Sequence, residues 1–355
     1  PDGMYPEGPG YWHYGTDYHV MLLAACQPLN RPFAENPLLN KAGGSIMHLT
    51  SPTRYAFNFA DGGSGLEKPS PAQCWLAAHF KDAVQARHVR QLFTRSMAED
   101  KRLDCSPLSL LWLPEAPPAD RAMPTAAVYQ GEQAVATFRT GWSPKDAFLA
   151  IKGGTPAASH GHMDVGSFVY DAHGVRWMYD LGKEDYNLPG YFGSKRWTFF
   201  RLQNRSHNTL EINGQLQNAK SKPCPLVSQT LTGNPLTAAF DLTDAYSNAA
   251  AKVIRRVRFD SQNGTSRIED EITQPAGTVV WRAFTDAQAE VKGDLVILKK
   301  NGSQITLRRI STAGTWTITD AKPPTAVEEQ NKGFRALVLT IPKADQISSV
   351  VEIRP

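Results

Sequence analysis

The stretch HGHMDVGSFVYDAHGVRWMYDLG, His160 to Gly182, decides how the chain is read. Its second half sets β-branched and aromatic residues on either side of Asp171-Ala172-His173-Gly174. That pattern reads as two strands folded about a tight turn, with glycine where positive φ is needed. The same grammar continues outward through AVATFRTGW (from Ala134), AFLAIKGG (from Ala147), HNTLEING (from His207), VIRRVRFDSQNGTSRIEDEI (from Val253), TVVWRAF (from Thr278), DLVILKKNGSQITLRR (from Asp294), TWTITD (from Thr315) and RALVLTIP (from Arg335). Lys300-Asn301-Gly302-Ser303 is a second hairpin turn. No helix-length segment separates these runs, so the expected architecture is a large antiparallel β-sandwich and not a parallel sheet.

Before Pro114 the character differs. WLAAHFKDAVQARHVRQLF, Trp75 to Phe93, places Leu76, Phe80, Val84 and Leu92 at helical spacing and predicts one amphipathic helix. Tyr14 to Cys26 predicts another, and the Pro-, Gly- and Asn-rich stretch Ser51 to Pro71 predicts a long irregular loop. PEAPPADRAMP, Pro114 to Pro124, is the expected linker. A chain of 355 residues fits two domains. The expected division is a helical domain at 1–115 and a β domain at 116–355, an α+β multidomain chain.

Composition excludes several classes. A net charge of +4 without Lys/Arg blocks does not point to nucleic acid. The apolar run Val20 to Cys26 is far shorter than the roughly 20 residues that cross a bilayer. Cys26, Cys74, Cys105 and Cys224 form no CxxC pattern and read as small buried residues, one disulfide being the alternative.

The chemistry-bearing residues concentrate in one region: His160, His162 and Asp164, then Asp180, then His207-Asn208. On a strand, His160 and His162 would face one side, with Asp164 continuing the row. Two imidazoles and a carboxylate are the usual donors for Zn²⁺, and Asp180 and His207 could complete such a set. Solvated loop histidines are the plainer alternative, and a general acid–base histidine is a third. Arg196, Arg201 and Arg205 could meet carboxylate or sulfate groups, or simply face solvent. The tryptophans read as core. Asp61, in FNFADGG, either supports the opening segment or makes a turn.

The order H-x-H-x-D-x-G-x-F, D-x-G, H-N-T-L, carried here by His160 to Phe168, Asp180 to Gly182 and His207 to Leu210, resembles the heparinase II/III-like polysaccharide lyases. The resemblance implies a partial α/α toroid followed by an antiparallel β-sandwich, and cleavage of a uronic-acid polysaccharide by β-elimination. It implies a structural Zn²⁺ on His162, Asp180 and His207, with His160 as the catalytic-site histidine. The opening PDGMYPEGPGYWHYG is similar to the segment that presents the family's catalytic tyrosine, which makes Tyr11 the candidate ahead of Tyr14 and Tyr5. Tyr191 corresponds to a substrate-site aromatic, and Arg205 is the candidate for the substrate's acidic groups. The expected partner is an acidic polysaccharide, with no nucleic acid and no membrane span, a homodimer being left open, in the periplasm or outside a bacterial cell. Because Pro1 opens inside a family-like motif, ahead of which an earlier toroid helix would supply a further Asn or His, the resemblance implies a longer enzyme. The rival readings are a glycoside hydrolase, for which Glu7 and Asp164 are the obvious carboxylates, and a non-catalytic zinc-containing carbohydrate-binding module.

Overall fold

The computed structural model describes residues 2–26, 29, 31–100, 105–117, 122–311 and 313–355. The N-terminal helices are α1 (Pro9–Ala25), α2 (Arg31–Ala34), α3 (Pro37–Leu49), α4 (Pro71–His79), α5 (Ala83–Glu99) and α6 (Pro107–Leu111). Proline opens α1, α3, α4 and α6, where its missing N–H costs nothing. Asn36, Ser70, Asp82 and Ser106 cap the helices that follow them, Ser70 in a capping box with Gln73.

The single helix expected over Trp75 to Phe93 is two. Lys81 takes a left-handed φ of 53°, and the Asp82 carboxylate accepts the N–H groups of Val84 and Gln85. A good N-cap in the middle of an apolar stripe starts a new helix, and periodicity alone does not register it. Of the expected linker, Pro118 to Arg121 lie outside the described residues; the first strand follows at Ala126.

Strands β1 (Ala126–Gln130), β2 (Ala134–Arg139), β3 (Phe148–Lys152), β4 (Phe168–Ala172) and β5 (Val175–Met178) form an antiparallel meander in chain order. They are followed by β6 (Leu210–Ile212), β7 (Leu226–Thr230), β8 (Leu236–Asp241), β9 (Lys252–Phe259), β10 (Ser266–Thr273), β11 (Val279–Thr285), β12 (Gln288–Lys292), β13 (Leu295–Lys300), β14 (Ser303–Ser311), β15 (Thr315–Asp320), β16 (Arg335–Ile341) and β17 (Gln346–Arg354). These make an eight-stranded sheet ordered β12-β13-β14-β17-β10-β9-β8-β7 and a four-stranded sheet ordered β15-β16-β11-β6. Both expected hairpin turns form, with positive φ at His173 and Gly174 and at Asn301 and Gly302.

All five residues of β3 are buried because the first sheet is covered on both faces. Leu149 and Ile151 enter the main core shared with the later sheets, among Trp177, Phe240 and Trp281. Phe148 and Ala150, pointing the other way, pack with Leu49, Phe57 and Phe59 of the helical region. The first sheet is therefore the middle layer, and the loops leaving its strands meet the segment Phe57 to Gly63. The four cysteines are all free. Among the described residues no helix is long and apolar enough to cross a membrane.

Candidate active site

His160 and His162 do not sit on a strand. They lie in the irregular connection between β3 and β4, and His160 itself adopts a left-handed φ of 56°. Their imidazoles nevertheless converge, because both hold the same carboxylate. Asp61 Oδ2 lies 2.7 Å from His160 Nδ1, and Asp61 Oδ1 lies 2.8 Å from His162 Nε2. The Tyr191 hydroxyl donates to Asp61 Oδ1 at 2.6 Å. Arg196 stands 3.4 Å from that oxygen and donates to the Gly161 carbonyl at 2.8 Å. Asp61 is thus the hub of the site. The sequence left it between supporting the opening segment and making a turn, since an Asp-Gly-Gly run is what many turns look like.

The hub is held by strained backbone. Ala60 has a φ of 56°, unusual for a residue with a Cβ, and its N–H is bound by Asp164 Oδ2 at 2.9 Å. The Asp61 N–H donates to the His160 carbonyl at 3.1 Å. Two left-handed residues on separate loops are thereby locked against each other, a concentration of strain of the kind that marks functional sites. Asp164 does not continue the histidine row; its other oxygen is paired with the buried Lys152.

Tyr11, in the first turns of α1, stacks on His160 with ring centroids 4.1 Å apart and 28° between planes. Its hydroxyl is 3.0 Å from that of Tyr186, a residue that carried no signal in the sequence. Burial and the Tyr11 hydrogen bond hold the Tyr186 phenol well above its ordinary range. Tyr191 is only 1% exposed and its hydroxyl is spent on Asp61. It is therefore placed to position the carboxylate, not to touch a polysaccharide. Arg205 turns to the Gly214 carbonyl at 2.6 Å, in the turn after β6, and to Glu211 of β6 at 3.3 Å, away from the Asp61 cluster. Arg196, not Arg205, is the arginine that lies against Asp61.

His162, Asp180 and His207 are brought together. The two imidazole centroids are 5.3 Å apart, and His207 Nδ1 is 2.9 Å from Asp180 Oδ2. The remaining oxygen of Asp180 accepts the Gly182 N–H at 2.9 Å. Gly182 has a φ of 72°, and a Cβ there would lie 2.7 Å from the Gly62 carbonyl, which accounts for the glycine in D-x-G. Asn208 donates to Phe168 O at 2.6 Å and Tyr179 O at 2.9 Å and accepts from Phe284 N at 2.7 Å, tying three strand ends together. Arg255, paired bidentately with Asp270, donates to Gly166 O and Asn208 O from below.

Electrostatics separate the two histidines. Burial lowers His162, leaving a neutral ring that donates Nε2–H to Asp61. For His207 burial acts in the same sense, but the Asp180 charge and hydrogen bond outweigh it and raise the pKa. Burial alone would raise Asp61; the His162 and Tyr191 hydrogen bonds and the Arg196 charge win and hold it ionised. His162 Nδ1 and His207 Nε2 are buried without any hydrogen-bond partner. Such orphaned imidazole nitrogens are rare. Among the described residues no three His, Cys, Asp or Glu side chains already converge as they would around an ion. Asp180, lying behind His207, has the placement of a carboxylate that orients a ligating imidazole.

Two openings flank the Tyr11–His160 stack. One, of about 390 Å³, is lined by Ser159, His160, Phe192, Arg196, Trp197 and Lys220. The other, of about 450 Å³, is lined by Ser64, Lys183, Glu184, Tyr186, Asn187 and Arg201. Both are in the size range of ligand sites.

The heparinase II/III-like C-terminal family model matches residues 130–347, more than half of the chain. The chain belongs to that family. Solved structures share the fold over the whole of this chain. A heparan sulfate lyase HepC mutant from Pedobacter heparinus superposes with a TM-score of 0.72 at 16% identity, covering 100% of this chain and 53% of that one. Heparinase III, the BT4657 gene product, gives 0.74 at 15% identity, covering 100% and 52%. A further heparinase III crystal structure gives 0.69 at 18% identity, covering 100% and 54%. The chain spans about half the length of these structures. No curated protein matches it.

Proposed function

We propose that this chain belongs to a polysaccharide lyase that cleaves a uronic-acid polymer by β-elimination, its helices being part of an α/α toroid and its β domain beginning near residue 116. The observation that carries the reading is the Tyr11–His160 stack anchored by Asp61. With Nδ1–H donated to Asp61, the His160 ring presents the lone pair of Nε2 outward, as a general base requires. That lone pair removes the C5 proton of the uronate. The electrons form the C4–C5 double bond as the C4–O4 bond breaks, and the Tyr11 hydroxyl, aligned by Tyr186, donates a proton to O4.

The C5 proton is acidic only while the neighbouring carboxylate is neutralised. Arg196 and Lys220, on the wall of the opening beside His160, are the cations for that task. Of the two carboxylates named for a hydrolase, Glu7 and Asp164, the second is buried and engaged by the Ala60 N–H and by Lys152.

His162 Nδ1 and His207 Nε2 suit a zinc ion in type and in lacking any other partner, and Asp180 would join as a ligand or as the carboxylate that orients His207. When bound, the ion would hold the His162 and His207 loops in register. The resemblance to bacterial lyases favours a periplasmic or secreted protein.

The test is incubation of the protein with heparin, heparan sulfate, alginate and chondroitin while following the ultraviolet absorbance of unsaturated uronate. A rise with one polymer is the expected result. New reducing ends without absorbance would replace the lyase with a hydrolase, and neither signal would favour a binding module.

A further inference from the structure

The substrate-site aromatic that the resemblance implies is Tyr191, and the fold buries that side chain on Asp61. The next residue goes the other way. Leu188 to Arg196 run as consecutive tight turns, closed by Tyr191 N on Leu188 O at 3.1 Å, Gly193 N on Gly190 O at 3.0 Å and Arg196 N on Gly193 O at 3.1 Å. With Tyr191 pinned inward by its hydroxyl, the turn presents Phe192 outward, 63% exposed.

A single exposed apolar residue needs no explanation. Phe192 differs in where it stands. It lines the opening beside His160, together with Ser159, Arg196, Trp197 and Lys220. Among the described residues no carboxylate lines that opening, so an apolar ring and two cations face one space. The ring is held while most of its surface stays open. It lies close to perpendicular to Tyr186 (centroids 5.0 Å, 70°), Tyr191 (4.9 Å, 69°) and His160 (5.9 Å, 83°), and among the described residues no aromatic ring stacks flat on it.

These planes suit a pyranose. A sugar ring presents a face of axial C–H bonds, which carry partial positive charge and pack against the negative face of an aromatic ring. With 83° between the two rings, the normal to Phe192 lies near the plane of the His160 imidazole, and the lone pair of a ring nitrogen lies in that plane. A pyranose stacked flat on Phe192 therefore directs its axial C–H bonds parallel to the plane of that lone pair, the orientation that proton removal by His160 needs. Arg196 and Lys220 on the same wall add what a carboxylate on the sugar would meet. A neutral sugar would leave the two cations unused, and a small anion would leave the ring unused.

We propose that Phe192 is the stacking platform for the pyranose ring of a uronic-acid saccharide in the opening beside His160. The proposal rests on the acidic-polysaccharide substrate of the preceding reading, and not on the bond being broken by elimination. Calorimetric titration with hexasaccharides of heparan sulfate, alginate and chondroitin tests it, in a Tyr11→Phe background so that binding is read without cleavage. At least one of the three should bind at a single saturable site, weakened about tenfold by Phe192→Ala. Phe192→Leu, which keeps bulk without an aromatic face, should lose as much, and Phe192→Tyr should bind within about twofold of the phenylalanine. Circular dichroism establishes that each variant is folded. Absence of saturable binding with all three saccharides overturns the platform. So does a Phe192→Ala that binds like its parent, or a Phe192→Leu that binds as well as Phe192→Tyr. The ultraviolet assay keeps the two readings apart. Phe192-dependent binding in a protein that forms no unsaturated uronate sustains the platform and removes the lyase, whereas unsaturated product with binding indifferent to Phe192 does the reverse.

Discussion

Replacing Asp61 by asparagine is the most informative single change. The carboxylate holds His160 at 2.7 Å, His162 at 2.8 Å and Tyr191 at 2.6 Å, each as an acceptor. An amide keeps the size but supplies only one acceptor oxygen, and its NH₂ must face one of those donors. If the NH₂ faces His160, Nδ1 becomes the acceptor, the proton moves to Nε2, and the base is lost. A wrong tautomer of this kind costs about 10⁴-fold in serine proteases, and we expect a fall of about 10³- to 10⁴-fold in kcat, or roughly 4 to 5 kcal/mol of barrier. Binding of polymer should weaken much less, because Arg196 and Lys220 remain on the wall of the cleft. The assay is the initial rate of absorbance increase on the polymer that responds in the panel, with circular dichroism to establish that the variant is folded. A folded Asp61→Asn that retains activity within tenfold of the parent would refute the role given to Asp61 and the tautomer argument with it.

Tyr11→Phe removes one hydroxyl contact, to Tyr186, and should abolish turnover while changing stability by no more than about 1 kcal/mol; unaltered turnover would remove Tyr11 from the mechanism. His207→Ala should abolish stoichiometric zinc uptake measured by elemental analysis, and a variant with full occupancy would remove His207 as a ligand. Asn208→Ala deletes three buried hydrogen bonds and strands the Phe284 N–H, so urea denaturation should show a loss of about 3 kcal/mol, a loss below about 1 kcal/mol contradicting its role as a strand tie. At His13, burial opposes the charged form, but Glu67 at 2.7 Å outweighs it and the pKa is raised. The stability it adds is therefore complete below the unfolded value of about 6.5 and is lost as pH rises through the higher folded value. The melting temperature of the parent should exceed that of His13→Gln by more at pH 6 than at pH 9, and an equal difference at both would refute the assignment.

The alternating runs after Ala126 and the turns at His173-Gly174 and Asn301-Gly302 were legible because a strand's period of two and a turn's need for positive φ are local demands. The clustering of His160, His162, Asp180 and His207 was legible for the same reason, since these donor types stand close in the chain. What a histidine points at is not local. The strand geometry expected for His160 and His162 gave the right convergence for the wrong reason: a loop with a left-handed residue aims both rings at a carboxylate 99 and 101 residues earlier. Asp61 carried two readings that nothing local could separate, Tyr186 looked like an ordinary loop residue, and Arg196 could not be chosen over Arg205. Only packing of the helical region on the first sheet brings Phe57 to Gly63 and Tyr11 to that loop, through contacts between residues that no short-range pattern couples. The sequence by itself determined the strand-rich fold class and the donor residues. Tertiary structure decided which carboxylate organises them, because burial and hydrogen-bond partners are set by segments distant along the chain.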